Sequence, residues 1–417
     1  MTSFVTAAGF VDKDRMDASL FPYAADWLNL LLRWLHLIAG IAWIGASFYF
    51  VWLDNSIRPP KPDSELAKKG VSGELWAVHG GGFYNPQKYL VAPPELPPEL
   101  HWFKWEAYTT WLSGFALLLV VYYLNPQAMM IDRAVADLAG WQAIGIGILT
   151  LAIGWTVYDM LCRSPLGERD VLFGVVIFLF IVAVAFVLSR LLSGRAAYLH
   201  VGAMIGTIMV ANVLMVIIPG QRKMVAAMRA GHSPDPVHGK RGKQRSVHNN
   251  YFTLPVLFIM ISNHYAMTYN HAYNWLVLAA IMAAGVLIRH FFNLKHKGRI
   301  AWGYPAAGVV LLLATAVAIA PRPVAPMSAR GSAPDFEKVQ AIIGQRCVSC
   351  HAQQPTQPGF AAAPAGIALD SPELIRRHGE KIYQQAVQLK AMPIGNMTGM
   401  TEEERALIGE WFRAGGK

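Results

Sequence analysis

Apolar residues fill the first three quarters of the chain in runs too long for a soluble core. A membrane crossing needs about 20 predominantly apolar residues. Eight stretches meet that need, at 27–53, 106–124, 141–161, 171–190, 196–218, 250–268, 274–294 and 303–320. The first is long enough to tilt or to project beyond the bilayer. Past residue 320 the pattern changes. Residues 321–333 are rich in Pro, Ala, Ser and Arg and read as a tether, and short amphipathic helical segments follow. The expected architecture is all-α, with a membrane domain of eight helices over 1–320, the tether, and a small helical domain over 334–417.

Composition agrees with a membrane protein. Only 15% of residues are charged and 54% are hydrophobic, whereas ordinary soluble domains carry about 25% charged residues. The net charge of +10 raises nucleic acid as a partner, but the basic residues form no single patch. They lie in the connections. Segments 54–105, 162–170, 219–249 and 289–302 hold 19 Lys and Arg, against 5 in 1–26, 125–140, 189–200 and 269–273. The positive-inside bias puts the first set in the cytoplasm and both termini outside. The lipid bilayer is therefore the expected partner, and nucleic acid is not. No basic n-region with a cleavage site opens the chain, so no removable signal peptide is expected. Of three cysteines, Cys162 has no evident mate, so no disulfide is expected.

The other two cysteines stand in Cys347-Val348-Ser349-Cys350-His351, the C-x-x-C-H attachment signature of a c-type haem. Thiols at i and i+3 can bond to the two haem vinyl groups, with His351 beneath the iron as an axial ligand. A thioredoxin-like pair would want a βαβ context, and a zinc site two further ligands at metal spacing. Neither is nearby. Covalent haem is loaded on the outer face of a bacterial or organellar membrane, where an even number of spans also delivers the C-terminus. Ser332 with Asp335 is expected to cap a helix leading into the motif. Ser371-Pro372-Glu373 should open a helix running to about Lys390. Thr401 and Glu404 form a capping box for a last helix presenting Leu407, Ile408 and Trp411. A methionine sixth ligand is Met392, Met397 or Met400; such a residue also serves as packing on a haem edge.

Within the membrane half, ionisable groups are expensive and usually face a partner, a cavity or a cofactor. Arg33 and His36 share one helix face, and His36, His200 and His264 all fall toward the outer side. A pair of these histidines could clasp a haem b; each is otherwise a hydrogen-bonded polar residue between helices. The long 54–105 connection holds His79, three consecutive glycines, Lys88 and His101 among Trp76, Phe83 and Tyr84. Glycines let backbone N–H groups approach a ligand, and the aromatics offer stacking surface. The other reading is a membrane-surface segment with its aromatics at the interface. The 219–249 connection is expected to be a solvated basic loop.

Helix, C-x-x-C-H, loop, helix, methionine and terminal helix resembles a class I cytochrome c. That resemblance implies Met392 as the ligand, because in the family the methionine immediately precedes a proline. Met–His ligation raises the haem potential. With RWLHLIAGIAWIGASFYF at 33–50, GELWAVHGGGFY at 73–84 and LHWFKWEAYTTW at 100–111, nearly the whole chain resembles the bacterial membrane-bound urate oxidases. This implies an inner-membrane domain of eight spans carrying a periplasmic cytochrome c. It also implies oxidation of urate to 5-hydroxyisourate, with electrons passing to a downstream cytochrome or terminal oxidase rather than directly to oxygen. Under it His79, Lys88, His101, Arg33 and His36 are the expected catalytic groups. Cys347, Cys350, His351 and Met392 are the expected haem c residues. One haem accepts one electron at a time, so two transfers occur in sequence or a second centre, such as haem b, holds one electron. The competing assignment is a quinol-to-cytochrome electron-transfer subunit without substrate chemistry, which would leave the glycine-aromatic loop without a use.

Overall fold

The computed structural model describes residues 13–320, 335–357, 360 and 362–416. The expected tether and the Ser332 cap lie outside the described residues. Helices stand at all eight expected positions: α1 (Lys13–Ser56), α2 (Trp105–Leu117), α3 (Gly140–Arg163), α4 (Asp170–Ser189), α5 (Gly194–Arg229), α6 (Pro236–Ser262), α7 (Asn274–His296) and α8 (Gly303–Ala318). Five of them, α1 over Asp26–Ser56 with α3, α4, α5 and α7, are long and apolar enough to cross a membrane.

Of the eight expected spans, the other three differ from these five in length or course. After Leu117, α2 passes into a π-helical turn, Leu118–Tyr123. The apolar run of α6 is only its second half, because the helix begins at Pro236, capped by Asp235, inside the basic connection. It stops at Ser262, and a turn and the short helix Ala266–Tyr269 finish the stretch expected as one span. The last, α8, has 16 residues.

Burial identifies the centre of the bundle. In α5, 61% of the most apolar window is buried, against 6% in α1. Tyr198, Met204, Ile205 and Ile208 of α5 meet Tyr158 of α3, Ile259 of α6 and Leu278 of α7 in one core. Glycines let the neighbours close in: a Cβ at Gly154 would meet Met204, and one at Gly202 would meet Ile259. Leu35, Leu37, Ile38 and Ile41 of α1 face outward, as suits a lipid-facing helix.

The all-α expectation is also corrected between α1 and α2, where two short antiparallel ladders form. β1 (Gly73–Glu74) pairs with β4 (Gln87–Lys88), and β2 (Ala77–His79) with β3 (Gly82–Tyr84). His79 pairs with Gly82, so Gly80 and Gly81 form a two-residue turn with φ of 56° and 81°. A tight hairpin turn with positive φ at both central residues is built from such glycines. The glycine run thus makes a turn, which explains it without a ligand. Trp76, Val78 and Phe83 of this hairpin are 67–77% exposed.

Residues 335–416 form a small helical unit. Asp335 caps α9 (Phe336–Arg346), its side chain accepting from the Glu337 N–H at 3.1 Å. The helix expected to run to Lys390 is shorter: α10 (Pro372–Arg377) ends at His378, and the chain resumes as Gly379–Ile382 and a π-turn. Gly379 sits against the ring of Trp411, where a side chain has little room. The Thr401–Glu404 capping box is present on α11 (Glu402–Arg413), with bonds of 3.2 and 2.8 Å. Val339, Ile343, Ile382, Ile408 and Trp411 fill the core of the unit.

This unit docks on the bundle through its Leu389–Asn396 loop. Leu389 and Ala391 pack against the main core, and Asn270 Nδ2 donates to the Leu389 carbonyl at 2.9 Å. Gly395, with φ of 56°, backs onto the Ala128 and Ile131 carbonyls so closely that a Cβ would come within 2.7 Å of Ile131 O. At the other end of the bundle, Asp54 joins Lys88 of one basic connection to Lys243 of another, the latter at 3.3 Å. The C-terminal unit and the most basic connections therefore occupy opposite ends.

Burial pushes the Glu404 carboxyl up. Bonds from Arg346 and from the Thr401 N–H outweigh that and hold it below its ordinary value. A carboxylate lowered in this way stabilises the fold above its unfolded pKa, and the contribution disappears as pH falls through the folded value. Glu404→Gln is expected to cost the C-terminal unit about 1–3 kcal/mol at neutral pH and far less in strong acid. Thermal melts of wild type and variant across that pH range, followed by circular dichroism, check this.

Candidate functional site

The C-x-x-C-H run begins as α9 ends. The Cys347 N–H closes the helix on the Ile343 carbonyl at 2.8 Å, and the Cys347 carbonyl accepts from Cys350 at 3.2 Å and His351 at 2.9 Å. One turn thus holds both thiols and the imidazole. His351 Nδ1 donates to the Ile367 carbonyl at 2.8 Å, which fixes the tautomer and leaves Nε2 as the nitrogen that could bind a metal. Cys347, Cys350, His351, Phe360, Met392 and Met397 line one narrow cleft of about 40 Å³. Met400 is 3% exposed and packed in the core of the unit, whereas Met392 and Met397 line the same cleft as His351 and would be the methionines available to a haem there.

Two arginines fix the methionine loop. Arg405, 5% exposed, donates through Nη1 to the Met392 carbonyl at 2.7 Å and to the Ala386 carbonyl. Arg346 clasps Glu404 through Nε and Nη2 at 2.9–3.1 Å and donates from Nη1 to Thr398 O at 2.5 Å. Burial and the neighbouring Cys350 push the Cys347 thiol up to about 12. Among the described residues no three His, Cys, Asp or Glu side chains gather as for a metal ion. The donor set, two thiols on one turn with an oriented imidazole and thioethers in the same cleft, fits a c-type haem.

The three histidines expected as candidates to clasp a haem b lie in different settings. His200 is fully buried, with Nδ1 on the Ala196 carbonyl at 2.8 Å and Nε2 3.3 Å from the Tyr123 hydroxyl. Its ring lies so near the Gly147 backbone that a Cβ there would come within 2.5 Å. His36 places Nδ1 between the Thr110 carbonyl at 2.9 Å and Ser113 Oγ at 3.1 Å, against Gly114 of α2. His264 is exposed beyond the end of α6.

The expected catalytic groups are not brought together. Arg33 bonds Asn29 Oδ1 at 2.6 Å on its own helix, and His36 serves the α1–α2 contact. His79 is exposed at the hairpin tip, Lys88 is held by Asp54, and His101 stands edge-on to Phe103 with ring centres 4.5 Å apart.

Groups not singled out from the sequence do converge. Arg245, expected in a solvated loop, is 3% exposed within α6. It bonds Asp159 at 2.7 Å and Asn212 at 3.2 Å and lies over Tyr158. Arg289 is buried without a carboxylate partner among the described residues, bonding Asn250 at 2.9 Å with its guanidinium 4.0 Å from the Phe48 ring centre. The partners of Asp159 and Arg289 lie dozens of residues away in sequence, so no spacing links them.

Where the C-terminal unit meets the bundle there is a cavity of about 390 Å³. Asp132, Arg190, Arg195, His271, Glu402 and Arg405 contribute to its wall, with Lys390 and Tyr269. Pro393 and Ile394 line both this cavity and the cysteine cleft.

Comparison with known proteins accounts for the helical bundle. The family described as "Urate oxidase N-terminal" matches residues 22–320, the whole stretch from within α1 to past α8. No curated protein and no solved structure matches the chain. With well over half of its length matched, the protein belongs to the urate oxidase N-terminal family.

Proposed function

We propose that the protein is a membrane-bound oxidase of urate that hands its electrons to a c-type haem on its C-terminal unit. One observation carries the reading: a urate oxidase N-terminal bundle is joined, in one chain, to a turn that presents Cys347, Cys350 and a His351 oriented by Ile367 O. In this reading α2, α6 and α8 cross the bilayer with the five longer helices. The C-terminal unit, a class I cytochrome c, then lies on the periplasmic side of a bacterial inner membrane, opposite the basic connections. A downstream cytochrome or terminal oxidase takes the electrons onward.

Counted on the neutral species, urate and one water give 5-hydroxyisourate, two protons and two electrons. When bound, haem c supplies one-electron acceptance, so each urate requires two successive transfers. The chain's own residues prepare that site. Cys347 and Cys350 anchor it on one turn, and the Ile367 carbonyl keeps the His351 Nδ1 proton and leaves Nε2 for the iron. Met392 would be the thioether ligand, its backbone tied down by Arg405.

Anaerobic addition of urate to the detergent-purified, haem-loaded protein is expected to reduce the haem. Reduction by quinol and not by urate overturns the reading in favour of an electron-transfer subunit. Replacing both Cys347 and Cys350 by Ser is expected to abolish covalent haem, seen as loss of haem staining on a denaturing gel. Arg405→Met is expected to leave covalent haem in place while weakening the iron–thioether charge-transfer band of the oxidised spectrum, because the Met392 backbone loses its anchor. An unchanged band would remove Arg405 from that role.

A further inference from the structure

We propose that urate binds in the cavity between the C-terminal unit and the bundle, beside the cysteine cleft. The proposal rests on the urate reading above and adds a place for the substrate, which the scattered loop histidines do not supply. Three features of the cavity support it.

Its size of about 390 Å³ lies in the range of small-molecule sites and admits a flat bicyclic ligand with water. Its charge suits a monoanion. Glu402 is engaged by Lys390 at 2.7 Å and by Arg405 at 3.7 Å. Arg190 and Arg195 have no carboxylate partner among the described residues. Arg190 lies over the Phe186 ring, and Arg195 over Tyr269 with Nη2 on its hydroxyl at 3.2 Å. Each guanidinium keeps donors free for the carbonyl oxygens of an anionic purine, which planar forked donors recognise well. His271 accepts the Tyr273 N–H on Nδ1 at 3.1 Å, so the neutral ring carries its proton on Nε2 and adds a further donor.

Position is the third feature. Pro393 and Ile394 line both this cavity and the cleft that holds His351 and Met392. A substrate held here gives up electrons beside that cleft rather than across the thickness of a membrane.

The test measures anaerobic equilibrium binding of urate to the full-length protein, with the haem pre-reduced so that no turnover occurs, and haem reduction by urate in parallel. Arg190→Gln and Arg195→Gln are each expected to weaken binding about ten-fold, and the double variant about a hundred-fold, with haem content unchanged. Arg195→Lys should restore part of the loss. If the double variant binds urate as the wild type does, the cavity is not the site. Loss of binding in Lys88→Ala or Arg289→Gln would then move the site to the opposite end of the bundle. Wild-type protein that neither binds urate nor is reduced by it overturns the urate reading itself, a result distinct from failure of the cavity alone.

Discussion

One guanidinium ties the C-terminal unit together. Arg405 springs from the capped terminal helix, is almost fully buried, and spends its donors on two carbonyls from the segments that flank the methionine loop. A buried cation of this kind is stable only when its hydrogen bonds are met. The loop from Ala386 to Met392 is therefore not free to take another course. The same loop continues into Pro393, Ile394 and Gly395, which wall the interfacial cavity and seat the unit on the bundle. Core packing, thioether placement and docking all pass through this one side chain and its carbonyl partners.

The bundle solves a different problem, that of keeping polar groups among apolar helices. Its central helix, α5, changes to a π-turn at Asn212, where the amide serves Tyr158, Asn249 and Arg245. Irregular turns of this kind occur where a side chain must be re-aimed. Asp159 then neutralises Arg245 at the end of α3. These bonds occupy both terminal nitrogens of Arg245 and leave its Nε without a partner among the described residues.

Local features of the fold were legible in the sequence. Eight apolar runs became eight helices, and the Thr401–Glu404 box and the C-x-x-C-H turn form where residues three apart must meet. Span lengths were less legible. In α6 the basic segment Lys240–Arg245 continues the helix, since lysine, glutamine and arginine are good helix formers, so hydropathy alone set the wrong start. The His79–Tyr84 run was read for its glycines rather than for the β-forming residues on either side, which mark a two-residue hairpin turn. The interfacial cavity was not legible at all. It is assembled from segments near residues 130, 192, 271 and 393, which no periodicity brings together.

The contact between the Gly395 backbone and the Ala128 and Ile131 carbonyls has a kinetic consequence. Because both partners belong to one chain, docking is a first-order event governed by effective concentration rather than by collision. A modest contact surface then suffices to hold the two units in register, and the fraction docked does not change when the protein is diluted. The C-terminal unit is always present at its own bundle, one to one, without recognition by a second polypeptide.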